Sequence, residues 1–132
     1  MTQISLLSPE TLAQSPAFSH VAVVPPGATT IYVGGQNAVD AEHALVGGDD
    51  VAAQTRQVME NLRVALAAAG AGVEDLVMMT ILLVDGVDLT EAYPVAAAAL
   101  AGAAPTVVVA RVPGLVVPGA LIELSAIAAV LR

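Results

Sequence analysis

Glu123 and Arg111 are the only charged side chains between Glu91 and the C-terminal Arg132, and both lie in the apolar stretch APTVVVARVPGLVVPGALIELSAIAAV, residues 104–130. A carboxylate that is partly dehydrated by such surroundings is suited to general acid/base chemistry. The same residue could also be a solvated edge-strand glutamate or the ion-pair partner of Arg111, and residue types alone leave these readings open. The two histidines, His20 and His43, stand 23 positions apart with no cysteine anywhere in the chain. A metal centre would need both of them together with carboxylates such as Glu42 or Asp49, so they read as surface or loop-end histidines and no metal is expected. VGGQ at 33–36 puts a glycine pair at the end of a strand-like run, where it permits either close approach of a ligand to the backbone or a plain bulge. VGGDD at 46–50 has two aspartates where a phosphate loop needs a lysine and a hydroxyl. Serines and threonines occur without a histidine and an acid in a recognisable triad arrangement.

The elements that must position Glu123 follow from periodicity. HVAVV (20–24) and TTIYVGGQ (29–36) are β-branched runs separated by Pro25, Pro26 and Gly27, which suggests a hairpin. In residues 49–70, Val51, Thr55, Val58, Leu62, Ala65, Leu66 and Ala69 recur at helical spacing, with Asp49 or Asp50 as N-cap and Gly70 as left-handed C-cap. Gln54, Arg56, Gln57, Glu60 and Arg63 fall on the opposite side of that helix. The continuous apolar run Leu76–Val84 reads as a central strand closed by Asp85-Gly86, and Asp88 and Glu91 in capping-box spacing open a second, alanine-rich helix that ends at Gly102. Pro94 leaves the first turn of that helix uncertain, because with Thr90 as the cap it would fall at the fourth helical position. TVVVARV (106–112) and ALIELSAIAAVL (120–131) complete the order ββαβαββ, an α+β sandwich with two helices on one face of a sheet. In the last strand Ile122, Leu124, Ala126, Ala128 and Val130 form a purely apolar face that should meet the helices. Glu123 then points to the other face, which a second subunit would have to cover.

Composition sets the outer limits. The 132 residues make one domain, 1–132, with no internal repeat and no linker. Hydrophobic residues are 57% of the chain and the mean hydropathy is +0.81. No run of about 18 uninterrupted apolar residues is present to span a bilayer, so a soluble protein without a membrane partner is expected. That much aliphatic residue is hard to hide in a single small core, which favours an oligomer. The N-terminal MTQISLLSPETLAQ lacks the features of a signal peptide and the chain lacks cysteine, so the cytoplasm is the expected compartment. Twelve acids against four arginines repel polyanions and make nucleic acid an unfavourable partner. The absence of lysine and cysteine removes Schiff-base, pyridoxal-phosphate-anchoring and thiol chemistry, and no cofactor is expected.

Taken together, YVGGQ (32–36), DVAAQTRQVMENLRVALAAAG (50–70), EDLVMMTILLVD (74–85), VVVARVP (107–113) and IELSAIA (122–128) resemble the Rid (reactive intermediate deaminase, YjgF-like, L-PSP) family in order and over most of the chain. The helix signature of Gln54, Thr55, Arg56, Gln57, Asn61 and Leu62 is the most specific part. The resemblance implies a chorismate-mutase-like α+β fold, a homotrimer with clefts between subunits, and hydrolytic deamination of small imine or enamine metabolites without a cofactor. It implies that Glu123 positions water and that the Gly35 backbone faces the ligand. Gly34 stands where many members have serine, and Phe18 where many have tyrosine. The arginine that clamps a substrate carboxylate in the family's deaminases corresponds to Ala104. No basic residue between Arg63 and Arg111 can replace it, and Arg111 matches a different family position. Thr106 lies on the Ala104 side of its strand and is expected to line the cleft. Losing such a charge-assisted pair costs on the order of 1.5 to 3 kcal/mol, so 2-imino acids are disfavoured substrates. The expected function is an imine or enamine hydrolase with Glu123 as acid/base. The alternative is a non-catalytic trimer that binds a small molecule or a partner protein through the same clefts. Ribonuclease activity is opposed by the negative charge.

Overall fold

The computed structural model describes residues 3–132, so the first two positions of the N-terminal segment considered above lie outside the described residues. The chain runs β1 (Ser5–Leu7), β2 (Val21–Val23), β3 (Thr29–Gln36), α1 (Val51–Ala68), β4 (Leu76–Val84), α2 (Leu89–Leu100), β5 (Thr106–Val112) and β6 (Ile122–Val130). The main sheet has the order β3-β6-β4-β5, with β4 and β5 parallel and the other pairs antiparallel. Its parallel pair is joined through α2, as a parallel connection requires a crossover.

One expectation about pairing fails. The runs around Pro25-Pro26-Gly27 do not form a hairpin with each other: β2 pairs with β1 in a separate two-stranded sheet, and β3 pairs with β6. The physical reason is that β1 is only the tripeptide SLL, and a three-residue strand carries almost no periodic signal to mark it as a partner.

Helix α1 begins at Asp50, whose carboxylate accepts the N–H groups of Ala52 (2.9 Å) and Ala53 (3.2 Å). It ends in a Schellman arrangement: Gly70 at φ +73° donates to Ala67 O, and Ala71 donates to Leu66 O. Val58, Leu62 and Leu66 are fully buried, each contributing about 1.5–3 kcal/mol of transfer free energy. Gln54, expected on the outer side, is fully buried as well, and Met59 joins it in the core. The physical reason lies in the spacing. Gln54 follows Val51 by three positions and precedes Val58 by four, so it belongs to the stripe that meets the sheet.

Helix α2 is capped by Asp88, which accepts both the N–H and the hydroxyl proton of Thr90 (2.9 and 2.7 Å). These bonds, the hydroxyl's first, hold the Asp88 carboxyl below its ordinary value. Pro94 therefore sits inside the helix, and Ala101 (φ +50°) and Gly102 (φ +90°) end it in the left-handed region.

Strand β6 shows the expected alternation as far as Ala128: Ile122, Leu124, Ala126 and Ala128 are buried against the helix layer, while Glu123, Ser125 and Ile127 are half-buried on the opposite face; at the strand's end it breaks, with Ala129 buried and Val130 half-buried. On β4, Met79 and Leu83 face the core, and Met78, Thr80 and Leu82 share the open face with Glu123. That open face also carries Tyr32, 77% exposed, and Val108, 47% exposed. Among the described residues, no helix is long and apolar enough to cross a membrane.

Candidate functional site

Gly35 and Glu123 come together through a bulge. Between Val33↔Ala126 and Gln36↔Leu124, β3 uses one residue more than β6, and the extra length arches the Gly34-Gly35 backbone over β6. Gln36 Nε2 donates to Gly34 O at 3.2 Å across this arch. The approach is close enough that a Cβ on Gly35 would lie 3.2 Å from both Cδ and Oε2 of Glu123, whereas one on Gly34 would meet nothing within 4 Å. A side chain at 35 would therefore crowd the Glu123 carboxylate and shift it by a few tenths of an ångström, while one at 34 would enter open space. Beside them Tyr32, Gly34, Met78, Thr80, Ser125 and Ile127 line a hollow of about 270 Å³ on the open face.

Three side-chain amides brace this corner. Buried Gln54 donates to Gly48 O (2.6 Å) and Gly119 O (3.0 Å) and accepts the Leu121 N–H (2.8 Å), fixing the backbone two residues before Glu123. Asn37 Nδ2 donates to Ile122 O at 3.4 Å. Asn61 Nδ2 donates to Asn37 O and Val39 O, both at 3.0 Å, and its own Oδ1 accepts from Gln57 at 2.9 Å. The α1 signature residues act here as positioning groups for the β3–β6 corner. The burial of Gln54 was the part that sequence reading missed, although its place in the apolar stripe was the available signal.

Among the described residues, no hydrogen bond or ion pair engages the Glu123 carboxylate. The Arg111–Glu123 pair considered above is not formed. Arg111 is opposite Leu83 in the parallel β4–β5 register, which puts it on the helix side of the sheet, and its Nη1 donates to Val87 O at 3.0 Å. Glu123 is opposite Leu82, on the other face.

The remaining candidates gather elsewhere. Ser19 donates from its N–H to Pro105 O (3.1 Å) and from Oγ to Ala104 O (2.7 Å), which lays Phe18 beside the entry to β5. The Phe18 ring meets His20 edge-on with centroids 5.3 Å apart, and it borders a largely apolar cavity of about 300 Å³ between α2 and β5 that also touches Tyr93, Ala103 and Val107. Thr106 donates its hydroxyl proton to Val77 O at 2.6 Å. Thr106 is opposite Met78, whereas Ala110 and Glu123 are both opposite Leu82. Two strand spacings and four residues of offset put Thr106 roughly 16 Å from Glu123. Within one chain, then, Glu123, Gly34 and Gly35 form one group and Phe18, Ala104 and Thr106 another, too far apart for one small molecule to touch both.

His20 lies beside Phe18 in the second group, and His43 is in a separate turn. His20 Nε2 bonds with Ala13 O at 2.7 Å, so that nitrogen carries the proton. His43 sits at φ +66° in the turn closed by Asp40, whose Oδ1 accepts from Glu42 N and Ala44 N. Among the described residues, no group of three or more His, Cys, Asp or Glu gathers as metal ligands.

With this geometry in view, a family model described as endoribonuclease L-PSP matches residues 10–130. A RutC family protein of Pyrococcus horikoshii is 33% identical over 101 residues, covering 74% of this chain and 77% of the relative. The crystal structure of YyfB from Yersinia pestis, a protein of unknown function of the conserved Rid family, superposes with a TM-score of 0.85 at 33% identity, covering 98% of this chain and all of that one. RidA from the Antarctic bacterium Psychrobacter sp. PAMC 21119 matches with a TM-score of 0.70 at 27% identity, covering 89% of this chain and 97% of that one.

Proposed function

We propose a function from one premise: this chain belongs to the Rid (YjgF, endoribonuclease L-PSP) family. The reading is a hydrolase of small, reactive imines or enamines, acting in clefts between the subunits of a homotrimer. The observation that carries it is the Glu123 carboxylate, half-buried, free of protein partners and pressed against the Gly35 backbone.

Imine hydrolysis asks little of a protein, because the substrate is already electrophilic. Glu123 takes a proton from water as the oxygen attacks the imine carbon, and the C=N π electrons move to nitrogen. The carboxylic acid so formed gives its proton to that nitrogen to leave a carbinolamine; the regenerated carboxylate then moves the hydroxyl proton to the amino group as the C–N bond breaks, releasing a carbonyl and ammonia. Atoms balance as imine plus water to carbonyl plus ammonia. The gap of roughly 16 Å between the two groups of candidate residues supports a composite site, in which the Ala104 end of one subunit approaches the Glu123 corner of the next.

One observation favours a second reading. With alanine at 104 and the Thr106 proton committed to Val77 O, the β5 end offers a ligand few polar contacts, which suits a non-catalytic trimer that binds a small molecule or partner. Kinetics separate the two. When imines are generated in the assay, the hydrolase reading expects faster carbonyl release with wild type than with Glu123→Ala; equal rates would leave only the binding reading. Light scattering should give a trimeric mass, and a monomer would sink the composite site.

A further inference from the structure

Resting on the hydrolase reading, we infer that the site selects imines without a carboxylate, taken in their protonated, cationic form, and that it stands downstream of an amine-oxidising reaction rather than an amino-acid-processing one.

The chain has four arginines and no lysine. Arg56 lines the groove between α1 and α2, on the far side of the helix layer from Glu123. Arg63 is paired with Glu60 through Nε (2.9 Å) and Nη2 (2.6 Å) on the outer face of α1. Arg111 is on the helix side of β5 and bonded to Val87 O, and Arg132 is bonded to Ala69 O at the end of α1. All four are therefore on the helix side or at the chain's end. A subunit interface made by the open sheet faces would bring none of them to the cleft.

No arginine faces that cleft. Leu82, Val108, Ala110 and Ile127 share the open face with Glu123, the polar Tyr32, Thr80 and Ser125 there are neutral, and the whole chain carries a net charge of −8. A 2-imino acid would bring a carboxylate into a low-dielectric cleft beside another carboxylate, with no counter-charge, and the field of the protein would oppose its approach. An iminium ion has the opposite balance. Its N–H⁺ can pair with the unpartnered Glu123 oxygens, and protonation makes its carbon more open to attack by water. The step balances as iminium plus water to carbonyl plus ammonium.

The chemistry of supply follows. An amino acid oxidised at Cα gives an imine that keeps its carboxylate, whereas a primary amine oxidised at the same bond gives one without. Dehydrogenation of an amine, by a flavin or another two-electron acceptor, is the class of reaction that furnishes a carboxylate-free imine.

A matched pair tests this directly. Propan-1-imine is made in the assay from propylamine and a flavin amine oxidase, and 2-iminobutyrate from 2-aminobutyrate and an amino-acid oxidase. The two differ only in the carboxylate. Each oxidase is used in excess so that imine hydrolysis limits the rate, and carbonyl release is read directly, propanal with an NADH-linked alcohol dehydrogenase and 2-oxobutyrate with an NADH-linked lactate dehydrogenase. The expected result is acceleration of propan-1-imine hydrolysis by wild type that exceeds its effect on 2-iminobutyrate by about tenfold to a hundredfold. Ala104→Arg should reverse the preference by a similar factor, and Glu123→Gln should abolish both activities. Equal or greater acceleration of 2-iminobutyrate by wild type would overturn this inference and leave the hydrolase reading standing. Acceleration of neither imine would overturn the hydrolase reading, and this inference with it.

Discussion

Around Glu123 the backbone is held by buried side-chain amides, with Gln54 alone engaging three main-chain groups; around Ala104 it is held by main-chain bonds, a serine and a threonine, and it borders an unfilled cavity. The helices differ in the same sense. α1 presents Gln54, Gln57 and Asn61 to the structure beneath it, while α2 is mostly alanine and depends on its Asp88 cap. The difference teaches where placement matters. A general acid/base must be held to within a fraction of an ångström of the reacting atoms, whereas a wall that excludes water needs only to be apolar. On the proposed reading the braced end carries the chemistry, and the end around Ala104 serves only as a wall.

The largest effect expected from breaking this contrast is chemical. Glu123→Gln keeps shape and hydrogen bonding but removes the base, and imine hydrolysis should fall by about 10²- to 10⁴-fold with an unchanged circular dichroism spectrum. Smaller but still large is a difference in stability between the two ends. Gln54→Ala removes three hydrogen bonds, to two carbonyls and an N–H at a part-buried corner, and should cost about 3 kcal/mol by urea denaturation, against about 1 kcal/mol for Thr106→Val, which frees only Val77 O. Equal costs at the two positions would remove the distinction.

Within the braced corner the adjacent glycines should separate. Gly35→Ala forces the Glu123 carboxylate aside and should lower hydrolysis roughly tenfold, whereas Gly34→Ala enters open space and should leave stability within about 0.5 kcal/mol of wild type. The smallest effect lies at the α2 cap. The Asp88 carboxyl is held below its ordinary value by the hydroxyl and N–H of Thr90, so its ionised form stabilises the fold above the unfolded value of about 3.9. That contribution is lost as the pH falls through the lower folded value. Melting curves of wild type and Asp88→Asn should therefore differ at neutral pH and converge in strong acid.

Much of this was legible before any coordinates. The bounds of β4 and β5, the left-handed Gly70 and the direction of Glu123 follow from local rules, and the caps were narrowed to Asp49 or Asp50 and to Asp88 or Thr90, because a cap or a strand's alternation is decided by residues within a few positions of one another. The partnering of β2 with β1 and the hydrogen-bond partners of Gln54 were not legible in the same way. The first depends on which distant strand offers an open edge, and the second on backbone groups at Gly119 and Leu121 that are 65 and 67 residues away.

The sequence by itself determined the order of elements from β2 onward, the family's motifs and the one carboxylate with chemical promise, since these rest on residue type and short-range spacing. Only the tertiary structure decided that Gly35 lies against Glu123, that Arg111 turns to Val87 on the other side of the sheet, and that Ala104 and Glu123 belong to separate ends of one chain. The physical reason is that register, bulge and sheet order are set by packing the whole apolar face at once, and no local run of residues contains that information.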